Sequence, residues 1–257
     1  MKRRITRLFL SVCAAAVFFS CTKDRTETVN PTADGKVEAT FTASIGTGTR
    51  VHDTSWDDND AIGLAMLTHN GTEIVNNVYN YHYYTPRADG VFEPSTPSAT
   101  VYFPQDGSAV TFRAYYPFYA GLDVDMLIPV STADQTILPD IDLLSADHIS
   151  GYSKQYPAVQ LNFHHRLSKM IFVVRPQDDS DFIDPSELTL TVKGMYTKGT
   201  YDLRNEIMNI DVNSMADLTF PLCDDEDERY GIVMPRQAGK ALPSNLQELT
   251  EAPSQHT

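Results

Sequence analysis

From Val37 the chain alternates apolar and polar residues. Val37, Ala39, Phe41, Ala43 and Ile45 are separated by Glu38, Thr40, Thr42 and Ser44. Period two puts the five apolar side chains on one face of an extended strand. Further short runs rich in Val, Ile, Thr, Tyr and Phe follow at Ala61–Leu67, Thr72–Tyr84, Ala99–Phe103, Ala109–Phe118, Ala158–His164 and Lys169–Arg175. Others lie at Glu187–Val192, Glu206–Val212, Asp217–Leu222 and Arg229–Met234. Turn signals such as Asn70-Gly71, Asp89-Gly90, Asp106-Gly107 and Lys198-Gly199 fall between them. No segment holds a helical apolar period for three turns, and the best local helix is short, around Asp140–Ala146. Many short strands at this spacing predict an all-β protein made of antiparallel sandwiches or barrels.

The pattern breaks in four places. Residues 1–20 have a positive start (Lys2, Arg3, Arg4, Arg7) and an apolar run from Leu8 to Phe19. That run is shorter than the ~20 residues a membrane-spanning helix needs and fits a secretory signal peptide. Ser20-Cys21 then reads as a bacterial lipobox, with Cys21 as the lipidation site. Residues 21–36 are nearly all polar, as a solvated tether between lipid and domain. The Asp- and Pro-rich stretch 176–185 reads as a linker. It separates an N-terminal β-sandwich over 37–175 from a second over 186–237, which is short for a sandwich. Residues 238–257 show no strand alternation and read as an unpatterned tail, so the second sandwich is expected to be incomplete.

Cysteine and charge narrow the picture. Cys13 lies in the signal and Cys21 at the lipid site, which leaves Cys223 as a small buried hydrophobe and no intramolecular disulfide. The chain carries 20 Lys+Arg against 34 Asp+Glu. Without its first twenty residues it has 16 basic residues and a net charge of −18. That balance argues against a nucleic-acid partner, which needs a basic face.

Several strings converge on one family. Trp56-Asp57-Asp58-Asn59-Asp60-Ala61-Ile62-Gly63 resembles the W-x-x-x-D-x-I-G element of the Bacteroidales fimbrillins. Val101-Tyr102-Phe103-Pro104 with Val110 to Phe118, Asp142 to Ala146, Leu161 to Lys169 and Tyr230 to Gln237 are similar to later fimbrillin elements, in the same order. The resemblance implies two tandem transthyretin-like sandwich domains in a lipoprotein of the outer-membrane surface or fimbrium. It implies a fimbrial subunit, or a fimbria-associated anchor, acting in adhesion. The partners it implies are outer-membrane lipid through Cys21, other fimbrial subunits through strand exchange, and a host or bacterial surface ligand. In the family a protease trims subunits after an arginine, and a neighbour's strand fills the groove left by the first strand. Arg50, in Gly46-Thr47-Gly48-Thr49-Arg50, is the matching processing candidate.

No catalytic constellation, cofactor motif or metal spacing appears. There is no G-x-S-x-G, H-E-x-x-H or phosphate loop. Asp57 to Asp60 fail the EF-hand spacing, and Asp60 reads as a turn residue. His164 and His165 are adjacent, so on a strand they face opposite ways. The acidic run Asp224 to Glu228 reads as a solvated hairpin tip. Tyr79, Tyr81 and Tyr83, on one face of a strand, are the candidate glycan contacts of a competing function, a surface glycan- or protein-binding lipoprotein that does not polymerise.

Overall fold

A computed structural model of the chain describes residues 31–46, 55–172, 188–221, 230–235 and 246–251. In chain order its strands begin with β1 (Thr40–Ile45), β2 (Ala61–Thr68), β3 (Tyr81–Tyr84), β4 (Val91–Pro94), β5 (Val110–Tyr116) and β6 (Leu127–Ser131). Next come β7 (Leu144–Ala146), β8 (Ile149–Tyr152), β9 (Ala158–His165), β10 (Ser168–Met170) and β11 (Leu188–Tyr196). The last are β12 (Lys198–Asp202), β13 (Ile207–Ile210), β14 (Met215–Pro221), β15 (Gly231–Val233) and β16 (Leu246–Glu251). The all-β expectation holds. The only α-helix among the described residues, α1 (Leu138–Ile141), is a single turn. Of the helix expected around Asp140–Ala146, the last three residues are instead strand β7. All three are buried, which erases the alternation that marks a strand.

The main sheet closes on itself. Its order is β2-β3-β4-β1-β9-β7-β5, and β5 pairs again with β2, which gives a seven-stranded barrel with β8 added along β5. Among the described residues every pairing is antiparallel except one, β1 against β9. Alternate residues of each strand fill the barrel, including Phe41, Ile62, Tyr83, Phe92, Phe112, Leu144 and Phe163. β2, AIGLAMLT, reads as one apolar run because both of its faces are buried: Ile62, Leu64 and Met66 face inward, while Ala65 and Leu67 face a second core. Gly63 lies on that outer face under the Tyr115 ring, where a Cβ would sit 2.1 Å from the ring carbon Cε1.

The second core lies outside the barrel. The sheet β13-β12-β6 packs Tyr201, Ile128 and Val130 against Ala65, Leu67 and Tyr115. Strands from both sides of residues 176–185 therefore share one sheet, through β6 and β12. A third core joins the sheet β14-β11-β16 to the pair β10-β15, with Leu190, Leu218, Phe220 and Val233 buried.

Two segments depart from their sequence patterns. Lys198-Gly199 is not a turn but the start of β12. Gly199 is needed there for close packing, because a Cβ would lie 2.6 Å from both the Asn209 carbonyl oxygen and Met234 Cε. The tail read as unpatterned carries β16, antiparallel to β11. Leu246 and Leu249 stand opposite Val192 and Leu190 across a register shift, so their spacing of three hides the strand from a period-two search.

Candidate functional site

The site is the slot that β1 occupies. Period-two alternation makes residues 37–45 an amphipathic strand, and the barrel uses all of its apolar face. Val37, Ala39 and Phe41 are buried, and Ala43 and Ile45 pack against the same core half-buried. Glu38, Thr40, Thr42 and Ser44 face solvent. Phe41 is 1% exposed and meets Tyr83 and Phe112 edge to face, each with ring centres 5.1 Å apart.

The two walls of the slot differ. On one side β1 runs parallel to β9 over six Cα partners, from Thr40↔Ala158 to Ile45↔Phe163. On the other side it pairs with β4 over two only, Phe41↔Phe92 and Thr42↔Val91. Upstream, residues 101–103 take over that wall: Ala39 N–H donates to the Val101 carbonyl (2.9 Å) and Phe103 N–H to the Val37 carbonyl (3.0 Å). Parallel pairing is slightly weaker per residue than antiparallel. β1 is thus held by the barrel's one parallel seam and an interrupted antiparallel one.

Downstream of the β4 pairs, non-strand groups hold the backbone. Ala43 N–H donates to the Gly90 carbonyl (2.7 Å), and the Trp56 indole Nε1–H donates to the Ala43 carbonyl (3.0 Å). Trp56 is buried, and its ring meets Phe92 of β4, Phe163 of β9 and Tyr116 of β5 edge to face at 5.1 to 5.6 Å. Gly90 has φ +74°, and a Cβ there would lie 2.4 Å from the Ala43 carbonyl oxygen. In the sequence Trp56 stands out only through its W-x-x-x-D-x-I-G string, which does not anticipate this bond. The signal was present, since a lone tryptophan stood just past a strand that needed backbone partners.

Beside the end of β1 opens a cleft of about 100 Å³, lined in part by Ile45, Trp56, Asp57, Asp60, Asp142 and His165. The carboxylates of Asp60 and Asp142 have partners within the chain. Asp60 accepts from Asp57 N–H (2.8 Å), the turn role read from sequence, and from the Tyr116 hydroxyl (3.0 Å). Burial, reinforced by Asp60, pushes the Tyr116 hydroxyl pKa up. His165 is hydrogen-bonded to Asp142 (2.8 Å) and His164 to Asp147 (3.1 Å), so the adjacent histidines serve separate carboxylates. Among the described residues no group of three or more His, Cys, Asp or Glu side chains is arranged to hold a metal.

The candidate glycan contacts do not form a common face. Tyr83 is 1% exposed, and its hydroxyl accepts the Val101 N–H (3.0 Å) inside the barrel. Burial pushes that hydroxyl pKa up. Tyr81 packs half-buried on the barrel core and Tyr79 on the second core. Cys21, Arg50, Cys223 and the acidic run 224–228 lie outside the described residues.

A family model described as fimbrillin-like matches residues 49–250. A Bacteroides uniformis protein named "Putative fimbrium subunit Fim1C" is 31% identical over 197 residues. That alignment covers 76% of this chain and 64% of the relative, so the chain spans less than two thirds of that protein's length. The crystal structure of a "putative cell adhesion protein" from Bacteroides uniformis matches with a TM-score of 0.62 at 28% identity, over 79% of this chain and 76% of that one. A Bacteroides ovatus structure shares the fold at 19% identity, with a TM-score of 0.59 and coverage of 77% and 78%.

Proposed function

The chain belongs to the fimbrillin-like family, and on that premise we propose that it is a cell-surface fimbrial subunit or fimbria-associated anchor that assembles by β-strand complementation in adhesion. The supporting observation is the seating of β1. It is the first described strand, it lies across the barrel's one parallel seam, and its alternate residues fill the core between β4 and β9. Removing it bares Phe112, Tyr83 and Phe163 and leaves two facing strand edges with unpaired N–H and C=O groups. Such an opening binds a replacement strand through main-chain hydrogen bonds, with alternate side chains in pockets.

Export follows from the signal in residues 1–20, and Cys21 carries the lipid that holds the uncleaved chain, as precursor or anchor, at the outer membrane. Cleavage after Arg50, five residues beyond the end of β1, severs β1 from the body and makes it exchangeable. In this layout the barrel is the assembling unit, and the strands after residue 185 pack on it, with β12 paired to β6 across the 176–185 stretch. The role is structural and not catalytic: the partners are other subunits, and a host or bacterial surface ligand is the object of adhesion.

The test is electrophoresis of the native protein in mild detergent after treatment with a trypsin-like protease. The proposal expects a ladder of high-mass species that forms only after cleavage and disappears in an Arg50→Ala chain. A cleaved chain that stays monomeric at every concentration argues instead for the non-polymerising surface-binding lipoprotein.

A further inference from the structure

We infer that Trp56, with Gly90, is the register pin of the β1 slot, and that it fixes which residues of an incoming strand enter the barrel. The inference rests on the strand-complementation function proposed above. It specifies the partner's chemistry: an extended segment of another subunit with apolar residues at alternate positions. Its pinned residue is small, like Ala43, and an aromatic lies two residues before it, like Phe41.

A β-ladder alone leaves register open. Sliding a strand by one residue flips every side chain to the other face, so burial forbids it. Sliding by two keeps the apolar face inward and preserves the backbone hydrogen-bond pattern, so the parallel ladder to β9 tolerates it. The ladder to β4 has only two pairs and adds little discrimination. At Ala43 the arrangement changes. Its N–H goes to the Gly90 carbonyl and its carbonyl accepts from the Trp56 indole, both outside any strand. An indole offers one N–H in one direction, so a single carbonyl can satisfy it.

The pin belongs to the body and not to β1. Trp56 follows the segment that contains Arg50, and its ring is wedged against β4, β5 and β9 at once. It therefore stays in place when β1 leaves. With the slot empty, its N–H is a buried donor awaiting an acceptor, which is costly until a strand supplies one. Gly90 completes the pin, because any side chain there would collide with the Ala43 carbonyl oxygen.

The test uses the full chain cleaved after Arg50 and a fluorescent nine-residue peptide of sequence VEATFTASI, residues 37–45. A second peptide replaces the amide between Ala43 and Ser44 by an ester, which weakens the Ala43 carbonyl as an acceptor, removes the Ser44 N–H that faces β9, and leaves every side chain unchanged. Binding is read by anisotropy. Loss of the Ser44 N–H weakens both complexes alike, so the pin predicts an ester penalty about fivefold or more larger on the native protein than on a Trp56→Phe chain.

Register is read separately by disulfide trapping, in chains whose native cysteines are serine. A peptide with Thr42→Cys is expected to trap Gln160→Cys, its register partner, on a body that keeps Trp56. On Trp56→Phe it is expected to trap Asn162→Cys or Ala158→Cys as well. An ester penalty equal in both proteins, or trapping that stays confined to position 160, overturns the pin. An ester peptide that binds the native protein undiminished overturns it even where Trp56→Phe does not fold. If neither peptide enters the slot of the native protein, the strand-complementation function itself fails, and the pin with it.

Discussion

Phe41 and Phe112 meet edge to face inside the barrel, with ring centres 5.1 Å apart and planes at 87°. Phe112 sits on β5 and Phe41 on β1, so this contact ties β1 to the far wall of the barrel. Phe41→Ala is expected to cost about 3–5 kcal/mol, as for other buried phenylalanines cut to alanine. Val91→Ala, at a 39% exposed position on β4, is expected to cost under about 0.5 kcal/mol. Urea denaturation of both variants checks the contrast. Equal losses would mean that Phe41 is not seated as described.

Tyr83 separates the polymer function from the glycan-binding alternative. Its hydroxyl accepts a buried backbone N–H, so Tyr83→Phe orphans that donor and should cost about 1–3 kcal/mol. A loss of glycan binding with unchanged stability in this variant would contradict its burial.

Arg113, on the outer face of β5, is 5% exposed at its side chain and binds Glu206 (3.2 Å), the Arg204 carbonyl (2.9 Å) and His148 Nδ1 (3.2 Å). The contact clasps the β12–β13 turn onto the barrel. Glu206→Ala leaves the guanidinium without its carboxylate and should cost about 1–3 kcal/mol, reduced because Glu206 is 32% exposed. Arg113→Met in the same chain should recover part of that loss, since the unpaired cation is gone. A double variant less stable than Glu206→Ala alone would show that Arg113 contributes chiefly through packing.

Two histidines set a pH dependence. Burial holds the pKa of His82, stacked on Phe118 at 4.2 Å, below the usual histidine value. Partial desolvation and then the Arg113 charge do the same to His148, which is largely exposed and also faces His69 and Glu206. A depressed histidine pKa means that the unfolded chain takes up the proton first as pH falls. Stability is therefore full above the ordinary value of 6.5 and declines as pH drops from there toward the lowered native values. Urea midpoints measured from pH 7.5 to 5 should fall, and His148→Gln should flatten the curve. A midpoint that rises on acidification would contradict both assignments.

Much of this was legible in the chain. The alternation of residues 37–45 gave β1 and its buried face directly, and the β9 run from Ala158 did the same. What stayed hidden has particular causes. Residues 72–80 read as strand because of Ile74, Val75, Val78 and Tyr79. Asn76, Asn77 and Asn80 hold positive φ there, a conformation asparagine tolerates, and turn the segment into a loop that packs its apolar residues without a ladder. β12 was masked by a glycine needed for close approach, and β16 by a register shift. The slot's walls were readable as strands, but the parallel seam and the indole bond to Ala43 depend on long-range closure that no local pattern carries.

The most direct test of the central claim is the intact mass of the chain recovered from assembled, high-mass material on cells. Exchange at the β1 slot predicts a subunit that begins at Val51 and lacks residues 37–45. Assembled material in which the same chain keeps those residues covalently attached would contradict it.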